Sequence, residues 1–341
     1  MENKKISVIH QTDCFHGPAD PDDHWDLACQ FALAYADKID LKGVLIDYPP
    51  RDKEPKLNCG DPAIAAVSQL NYMCGKHVPV AVGCKERMQK DEDIEKVLLQ
   101  KPLNAGISML IDTLESACEP VVIHIVGSAR DIMVAATLRP DLFKEKCAGV
   151  YLNAGTAVGT RMEYNVLLDP YTYVKAFSLP CPLYWMPCFN TLEKRPETEG
   201  NGTFYKFCQG DVLPHLSENL QKYFAYALSR ADSHRWLSYL EAPLPSDVLD
   251  TQCGLMRNMW CTAGFLHTAG YTVTVEGDIV PVGAENAVFD FVPINVTARD
   301  NGFVEWSECE SSNRYIFKIN DEEKYTAAMT RALEKMLSVI P

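Results

Sequence analysis

Short apolar runs alternate with amphipathic segments along the first half of the chain, a pattern typical of βα units around a mostly parallel sheet. After the first run, apolar residues recur at three- and four-residue steps, which predicts a helix over about 21–36. The apolar runs predicted to form the central strands are 6–11, 41–47, 78–83, 120–127, 148–155 and 181–187. The helices predicted between them lie near 61–70, 104–117, 129–138 and 169–178.

The pattern changes after a polar loop that bears Gly and Pro at 190–203. Mainly helical periodicity continues to about 268, and β-rich runs at 271–277, 287–298 and 313–319 precede a final helix over 321–339. We therefore predict an α/β fold, a mostly parallel sheet flanked by helices, in a single domain over 1–341. Its core covers about 5–190, and its C-terminal part, about 204–341, adds a helical insertion and a small β-rich appendage.

The charge balance restricts the classes of partner. A formal net charge of -14 and a pI near 5.0 argue against binding to nucleic acid or to an anionic membrane surface, since both depend on clustered Lys and Arg. No apolar stretch approaches the roughly 20 residues that a membrane-spanning helix needs. The 13 cysteines are scattered and show no zinc-ligand spacing. These features predict a cytoplasmic protein.

Acidic residues are concentrated between the first apolar run and the first predicted helix, at Asp13, Asp20, Asp22, Asp23 and Asp26. Asp20 followed by Pro21 is typical of a helix start, with Asp at the N-cap, and Asp22 and Asp23 then fall in the first turn, where the helix dipole favours negative charge. Helix capping does not account for Asp13, which ends the strand. Asp13 and the pair can instead converge as hard oxygen ligands of Ca²⁺ or Mg²⁺.

Three segments occur in this order along the chain: "TDCFHGPADPDDHW" at 12–25, the segment at 120–155, and "MEYNVLLDP" at 162–170. Together they resemble the nucleoside hydrolase family, the calcium-dependent N-ribosyl hydrolases. "TDCFHGPADPDDHW" occupies the place of the family's acid-rich DxDxxxDD loop. The segment at 120–155 is similar to the family's strand, TGPLTN-like turn, helix and following strand, and "MEYNVLLDP" at 162–170 is similar to its EFNxxxDP segment. The resemblance covers most of 5–190 and implies a Rossmann-like α/β domain that assembles as a homo-oligomer, a dimer or a tetramer.

The resemblance also implies a role for individual residues. Three groups are implied as calcium ligands: Asp13, Asp23 and the carbonyl of Val126. Asp22 is implied as the general base on a metal-bound water, and Glu163 and Asn165 match residues that hold the ribose hydroxyls. Hydrolysis of a glycosidic bond needs an oriented water, a base for its proton and polar groups that fix the sugar, so these roles are chemically consistent.

The sequence departs from the family pattern at three places. Eight residues separate Asp13 from the Asp22–Asp23 pair, a longer interval than in the family, so Asp20 or Asp26 is an alternative ligand. Asp26 is expected to be an exposed helical acid at the surface.

The second departure is "LIDYPPRD", which replaces a Gly-Asn pair that reaches the ribose, with Asp47 or Tyr48 as possible substitutes. The third is "NMWCTAGFLHTAG" at 258–270, which places Trp260 and Cys261 where the family has a His-Asp pair. A neutral thiol is a poor ligand for calcium, so calcium affinity is expected to fall. His267 is expected to be structural.

Taken together, these observations predict a hydrolase of N-glycosidic bonds, ribosyl or related glycosyl, that uses Ca²⁺ and acts on a small nucleoside or another glycoside. The alternative is a non-catalytic protein that binds a sugar or nucleoside and retains the fold and the cavity. Nucleic acid and membrane are not expected as partners.

Overall fold

The computed structural model describes residues 5–17, 20–48, 61–95, 105–159, 161–194, 197–229 and 231–341. Nine strands form the main sheet: β1 (Ile6–Thr12), β2 (Ile39–Ile46), β3 (Val80–Val82), β4 (Val121–Ile125), β5 (Cys147–Asn153), β6 (Leu183–Met186), β7 (Phe289–Ala298), β8 (Val304–Glu308) and β9 (Arg314–Ile319).

The strand order across the sheet is β8-β7-β9-β6-β5-β4-β1-β2-β3. Every pair from β9 to β3 is parallel, whereas β7 runs antiparallel to both β9 and β8. The carboxyl ends of the parallel strands therefore lie along one edge, where loops lead into helix N-termini and ligands usually bind.

Twelve α-helices are described: α1 (Asp22–Tyr35), α2 (Ile64–Cys74), α3 (Ala105–Ser116), α4 (Arg130–Leu138), α5 (Pro140–Lys146), α6 (Tyr164–Leu168), α7 (Pro170–Ala176), α8 (Glu218–Leu228), α9 (Trp236–Glu241), α10 (Ser246–Cys253), α11 (Thr262–Thr268) and α12 (Glu322–Leu337). Short antiparallel pairs are formed by Tyr205–Cys208 with Met256–Met259, by Tyr271–Val273 with Ile279–Pro281, and by Phe15–His16 with Asp61–Pro62. None of the helices in the described ranges has the length and apolar character needed to cross a bilayer.

The sheet separates two hydrophobic cores because successive residues of a strand point to opposite faces. In β1, Val8 belongs to the core that α1, α2, α8 and α12 cover, and Ile9 belongs to the core that α3, α4, α5 and α7 cover. Both residues are fully buried. Burial on both faces is why the central strands are continuous apolar runs in the sequence.

The predicted α/β class and the mostly parallel sheet are confirmed. The C-terminal part is β-rich, as predicted, but the runs at 287–298 and 313–319 join one edge of the main sheet as β7 and β9, with antiparallel pairing between them. Only the run at 271–277 contributes to a separate two-stranded pair. The region from 204 to 268, predicted as mainly helical, also contains the strands Tyr205–Cys208 and Met256–Met259.

Candidate active site

A cavity of about 390 Å³ opens at the carboxyl ends of β1, β4, β5 and β6. All six residues that the sequence singled out for catalysis, metal binding or sugar binding line it: Asp13, Asp22, Asp23, Val126, Glu163 and Asn165. These residues come from three separated segments of the chain, and the parallel strands bring them to the same edge of the sheet. The remaining described residues of the lining are Asp20, Asn153, Met162, Tyr164, Cys188, Phe189, Leu192, Asn258 and Trp260.

The start of α1 differs from the prediction. Pro21 occupies the N-cap position, and no side chain among the described residues caps the helix, so the prediction that Asp20 is the N-cap was wrong. Asp20 faces the cavity instead, close enough to hydrogen-bond Asp22. Asp22 and Asp23 do lie in the first turn, as predicted, where the partial positive charge of the helix end stabilises carboxylates.

Asp13 and Asp23 lie on opposite sides of the loop between β1 and α1, and both face the cavity. Asp23 is 2% exposed; its Oδ1 accepts a hydrogen bond of 2.6 Å from Thr12 Oγ1, while its buried Oδ2 has no partner among the described residues. Burial and the charge of Asp13 raise the pKa of Asp23 well above its ordinary value. Burial also raises the pKa of Asp13 well above its ordinary value, and the negative charges of Asp20 and Asp47 raise it further.

The turn after β4 presents the Val126 carbonyl and is fixed by the buried side chain of Gln11. The backbone N–H groups of Val126 and Gly127 both donate to Gln11 Oε1 at 3.1 Å, and Gln11 Nε2 donates to Ser128 O at 2.8 Å. A Cβ on Gly127 would lie 2.8 Å from Asp47 Oδ2 and 3.2 Å from Asp13 Oδ1, so this position has room only for glycine.

Asp47, which ends the second strand, binds this turn and is not in the described lining of the cavity. Its Oδ2 accepts a hydrogen bond of 2.7 Å from the Ser128 N–H. Its Oδ1 accepts hydrogen bonds of 2.9 Å from Ser128 Oγ and of 2.8 Å from Arg130 Nη2. Both side chains of the Arg130–Asp47 ion pair are fully buried. Asp47 is thus a structural anion that holds the turn, and Tyr48 is likewise outside the lining, with its ring under Lys85 Nζ.

Glu163 and Asn165 begin α6 and are linked to the strand ends. Glu163 is the N-cap of this helix: Oε1 accepts from the Asn165 N–H and Oε2 from the Gly155 N–H, both at 2.9 Å. Burial raises the pKa of Glu163 to about 7. Asn165 Nδ2 donates to the Val126 carbonyl at 2.7 Å and to the Asn153 carbonyl at 3.0 Å.

Trp260 and Cys261 precede α11, but they occupy different environments. Trp260 lines the cavity, whereas Cys261 lies behind the lining with its Sγ donating 3.3 Å to Asn153 Oδ1. Burial raises the pKa of the Cys261 thiol well above its ordinary value, so the group is neutral.

Asp26 is fully buried, not at the surface as expected, and burial raises its pKa to about 7. His267 lies away from the cavity, bonded to the hydroxyl of Tyr151 at 2.7 Å.

Comparison with known proteins gives a match in structure alone. No family model and no curated protein sequence matches the chain. A solved inosine-guanosine nucleoside hydrolase aligns with a TM-score of 0.56 and 14% identity, over 96% of this chain and 98% of that one. A purine-preferring ribonucleoside hydrolase from Gardnerella vaginalis aligns with a TM-score of 0.52 and 12% identity, over 98% and 99%. The type III effector XopQ, solved in complex with adenosine diphosphate ribose, gives 0.51 and 12%, over 98% and 94%.

The chain has the nucleoside hydrolase fold. The resemblance predicted from 5–190 is confirmed at the level of the fold, and the structural alignments extend it to nearly the whole chain. Identities of 12–14% establish how the chain is folded, while the chemistry has to be argued from the side chains at the cavity.

The residues at this end of the nucleoside hydrolase fold suit a divalent cation. Asp13 and Asp23 supply carboxyl oxygens, and the Val126 carbonyl has a second lone pair beside its bond to Asn165. Asp23 Oδ2 is a buried carboxyl oxygen that has no partner among the described residues. Hard oxygen donors of this kind are those that calcium binds. Within the described ranges no three His, Cys, Asp or Glu side chains are arranged around one metal position, so the fit depends on combining carboxylates with the backbone carbonyl.

Several lining residues were not identified from the sequence. Asn153 and Cys188 follow the strand ends of β5 and β6, so a search for polar residues at the carboxyl ends of predicted strands would have found them. Asn258 lies in a short strand within a segment predicted to be helical; the resemblance drew attention to Trp260 and Cys261 in this segment but gave Asn258 no role. Tertiary structure alone brings it to the cavity.

Proposed function

We propose that the chain hydrolyses the N-glycosidic bond of a small nucleoside or related glycoside. The observation that carries this proposal is the convergence of Asp13, Asp22, Asp23, Val126, Glu163 and Asn165 on one cavity. It is supported by the fold, since two of the matched structures are of nucleoside hydrolases. The expected oligomeric state, dimer or tetramer, and the cytoplasmic location remain predictions.

In this proposal Asp13, Asp23 and the Val126 carbonyl hold a calcium ion. When bound, calcium lowers the pKa of water in its coordination shell and orients the sugar diol. Asp20 is an alternative ligand, because it also faces the cavity. Cys261 does not supply a negative charge, because its thiol is neutral and donates to Asn153. We therefore expect this site to bind calcium more weakly than a site in which a third carboxylate completes the set of ligands.

The remaining lining groups act on water and sugar. Asp22 accepts the proton of the attacking water at a carboxylate oxygen. Glu163 accepts backbone N–H bonds at both oxygens and retains a lone pair, so its carboxyl group can also accept a ribose hydroxyl. Both amide protons of Asn165 are bonded to carbonyls, which orients its Oδ1 as a further acceptor for a hydroxyl. Carboxylates around the ring also stabilise the positive charge that develops on the sugar.

Replacing the proposed base tests the reaction. Asp22→Asn should lower kcat for nucleoside hydrolysis by about 100-fold or more, since a positioned general base contributes roughly 10²–10⁴-fold. The matched control is Asp112→Asn, which removes an exposed carboxylate from α3 and should leave kcat unchanged. The assay is the release of reducing sugar with calcium present. Full activity of the Asp22→Asn enzyme would exclude Asp22 as the base.

The second candidate is a non-catalytic binding protein, which the neutral Cys261 thiol behind the acid cluster favours. The ADP-ribose complex of XopQ is a precedent for ligand binding in this fold. Calorimetry distinguishes the two functions. The binding function would be supported if a nucleoside gives heat of binding and is not hydrolysed during prolonged incubation. Release of ribose would reject the binding function.

A further inference from the structure

The proposed hydrolysis raises the question of how the leaving group departs. When the C–N bond of a neutral nucleoside breaks, the nitrogen takes the electron pair and the base leaves as an anion unless an acid protonates it. A quaternary, cationic nitrogen leaves as a neutral molecule and needs no proton. The groups that face the cavity therefore indicate which kind of leaving group the site can release.

The described lining contains no His, Lys or Arg. Its carboxyl groups all have other tasks: in the proposed reaction Asp22 receives the water proton, and Asp13 and Asp23 hold the cation. Asp20 lies within hydrogen-bond distance of Asp22, and both oxygens of Glu163 accept backbone N–H bonds. The other polar groups are amides, a thiol, an indole and the Tyr164 phenol, which are weak acids. Burial raises the pKa of Glu163 to about 7, but its oxygens are bound to the backbone and in the proposed reaction it holds the sugar, so no described lining group is left to protonate the leaving group.

Part of the lining is aromatic and apolar. Trp260 and Phe189 pack edge to face with ring centroids 5.8 Å apart, and the buried Phe204 contacts both at 5.7 and 5.5 Å. Met162 and Leu192 complete this part. An aromatic face attracts a cation that lies within about 6 Å of the ring centroid. The attraction is strongest when the ring is that of Trp and the cation has lost its hydration shell.

The electrostatic field of the cavity favours the same ligand. Five carboxyl groups line the cavity: Asp13, Asp20, Asp22, Asp23 and Glu163. The guanidinium of Arg257 is close enough to influence Asp22 and Asp20, but it lies outside the described lining and its Nε donates to Gln209 Oε1 at 3.2 Å. Those carboxyl groups that are ionised attract cationic ligands and repel phosphate groups.

We propose that the preferred substrate is a cationic N-glycoside, such as an N-ribosyl pyridinium or an N7-methylated purine nucleoside. This inference rests on the proposed function. Water oxygen bonds to the anomeric carbon, the C–N electron pair goes to the quaternary nitrogen, and the neutral heterocycle leaves. The water proton goes to Asp22. No oxidant or second substrate is required, because charge is balanced by the release of one proton.

Unreactive cations test the binding step separately from the intrinsic reactivity of the glycosides. 1-Methylnicotinamide, a pyridinium cation, should inhibit hydrolysis about 10-fold more tightly than neutral nicotinamide. Trp260→Leu should reduce this preference to the part that the carboxyl groups supply, and Trp260→Phe, which keeps an aromatic face, should retain more of it. Tyr72→Leu removes an aromatic ring that is 60% exposed on α2 and should change nothing.

Turnover completes the test. Nicotinamide riboside and 7-methylguanosine should be hydrolysed with higher kcat/KM than inosine, guanosine and uridine, each rate being divided by the uncatalysed rate of the same compound. Equal inhibition by the two nicotinamides, together with preferential hydrolysis of neutral nucleosides, would overturn this inference and leave the proposed function intact. Failure to hydrolyse any glycoside of the panel would overturn the proposed function and the inference with it.

Discussion

Asp26 lies in α1, one turn after the Asp22–Asp23 pair, and is fully buried. Within the described part of the chain, the thiol of Cys261 is close enough to interact with its carboxyl group, but neither carboxyl oxygen has a partner in good hydrogen-bond geometry. Burial disfavours the charged form and raises the pKa of Asp26 to about 7. An acid that is ionised in the unfolded chain is therefore largely protonated in the folded protein at mildly acidic pH.

The linkage between protonation and folding gives a prediction for Asp26. Since its pKa is higher in the folded state, the folded protein binds more protons between about pH 4 and pH 7, and the contribution of Asp26 to stability falls as pH rises through that window. Asp26→Asn cannot ionise, so the variant should gain stability relative to the parent between pH 4 and pH 7, by at most about 4 kcal/mol. Urea unfolding of both proteins without metal at pH 4.5, 6 and 8 measures the difference. A difference that does not change with pH would contradict the assignment.

At the scale of elements, the turn between β4 and α4 determines where the Val126 carbonyl lies. Gln11 binds the turn from β1, and Asp47 binds it from the end of β2 through Ser128 and Arg130. The buried ion pair of Asp47 and Arg130 leaves its carboxylate little freedom to move. Three neighbouring strand ends thus fix one carbonyl at the edge of the cavity.

Gly127 is the position where this arrangement is most sensitive to a single added atom. The Cβ of Gly127→Ala would meet Asp47 Oδ2 at 2.8 Å, and that carboxylate cannot withdraw without losing its bonds to Ser128 and Arg130. We expect the variant to lose about 1–3 kcal/mol of stability and up to about 100-fold in kcat/KM, since a small misplacement of site groups is costly.

Gly254→Ala is the matched control for this substitution. Gly254 follows α10 with a φ of -74°, and a Cβ there meets only the carbonyl oxygens of Thr251 and Asp250 at 3.5 and 3.9 Å, which is ordinary contact. Urea midpoints and initial rates of the two variants should therefore differ clearly. Parent-like activity of Gly127→Ala would show that the turn does not hold a site group.

At the scale of the whole molecule, a cation that binds only the folded chain should stabilise it. At a calcium concentration 100 times its Kd the gain in free energy of unfolding is about 2.7 kcal/mol, and the thermal midpoint should rise accordingly. Asp23→Asn removes one proposed ligand and should suppress the rise, while Asp112→Asn should preserve it. Differential scanning calorimetry with added calcium or a chelator measures the effect. An unchanged midpoint of the parent protein in saturating calcium would exclude the ion.

The sequence predicted the sheet and its flanking helices because burial on both faces leaves a direct record: β1, β4 and β5 are short apolar runs, and α1 has apolar positions at helical spacing. The resemblance to the nucleoside hydrolase family also pointed to six residues that the structure brings to one cavity. Asp13 was identifiable because it ends a strand, and Asp22 and Asp23 because they open a helix. Such features depend on residues close together in the chain.

The errors arose where distant segments decide the environment of a side chain. Asp20 follows the sequence rule for an N-cap and yet faces the cavity, and Asp26 has the spacing of an exposed helical acid and yet is covered on all sides. Covering elements such as α11 and the Tyr205–Cys208 strand are more than 170 residues away in the chain.

The sequence by itself therefore determined the α/β fold and the acids and amide available at the strand ends, because apolar periodicity and strand or helix boundaries are local properties. Only the tertiary structure decided which of those groups share a cavity, that Asp47 binds the turn rather than a sugar, and that Cys261 donates to Asn153 behind the lining. Burial and hydrogen-bond partners depend on contacts between segments that are far apart in the chain, and these contacts decide the charge state and the role of each side chain.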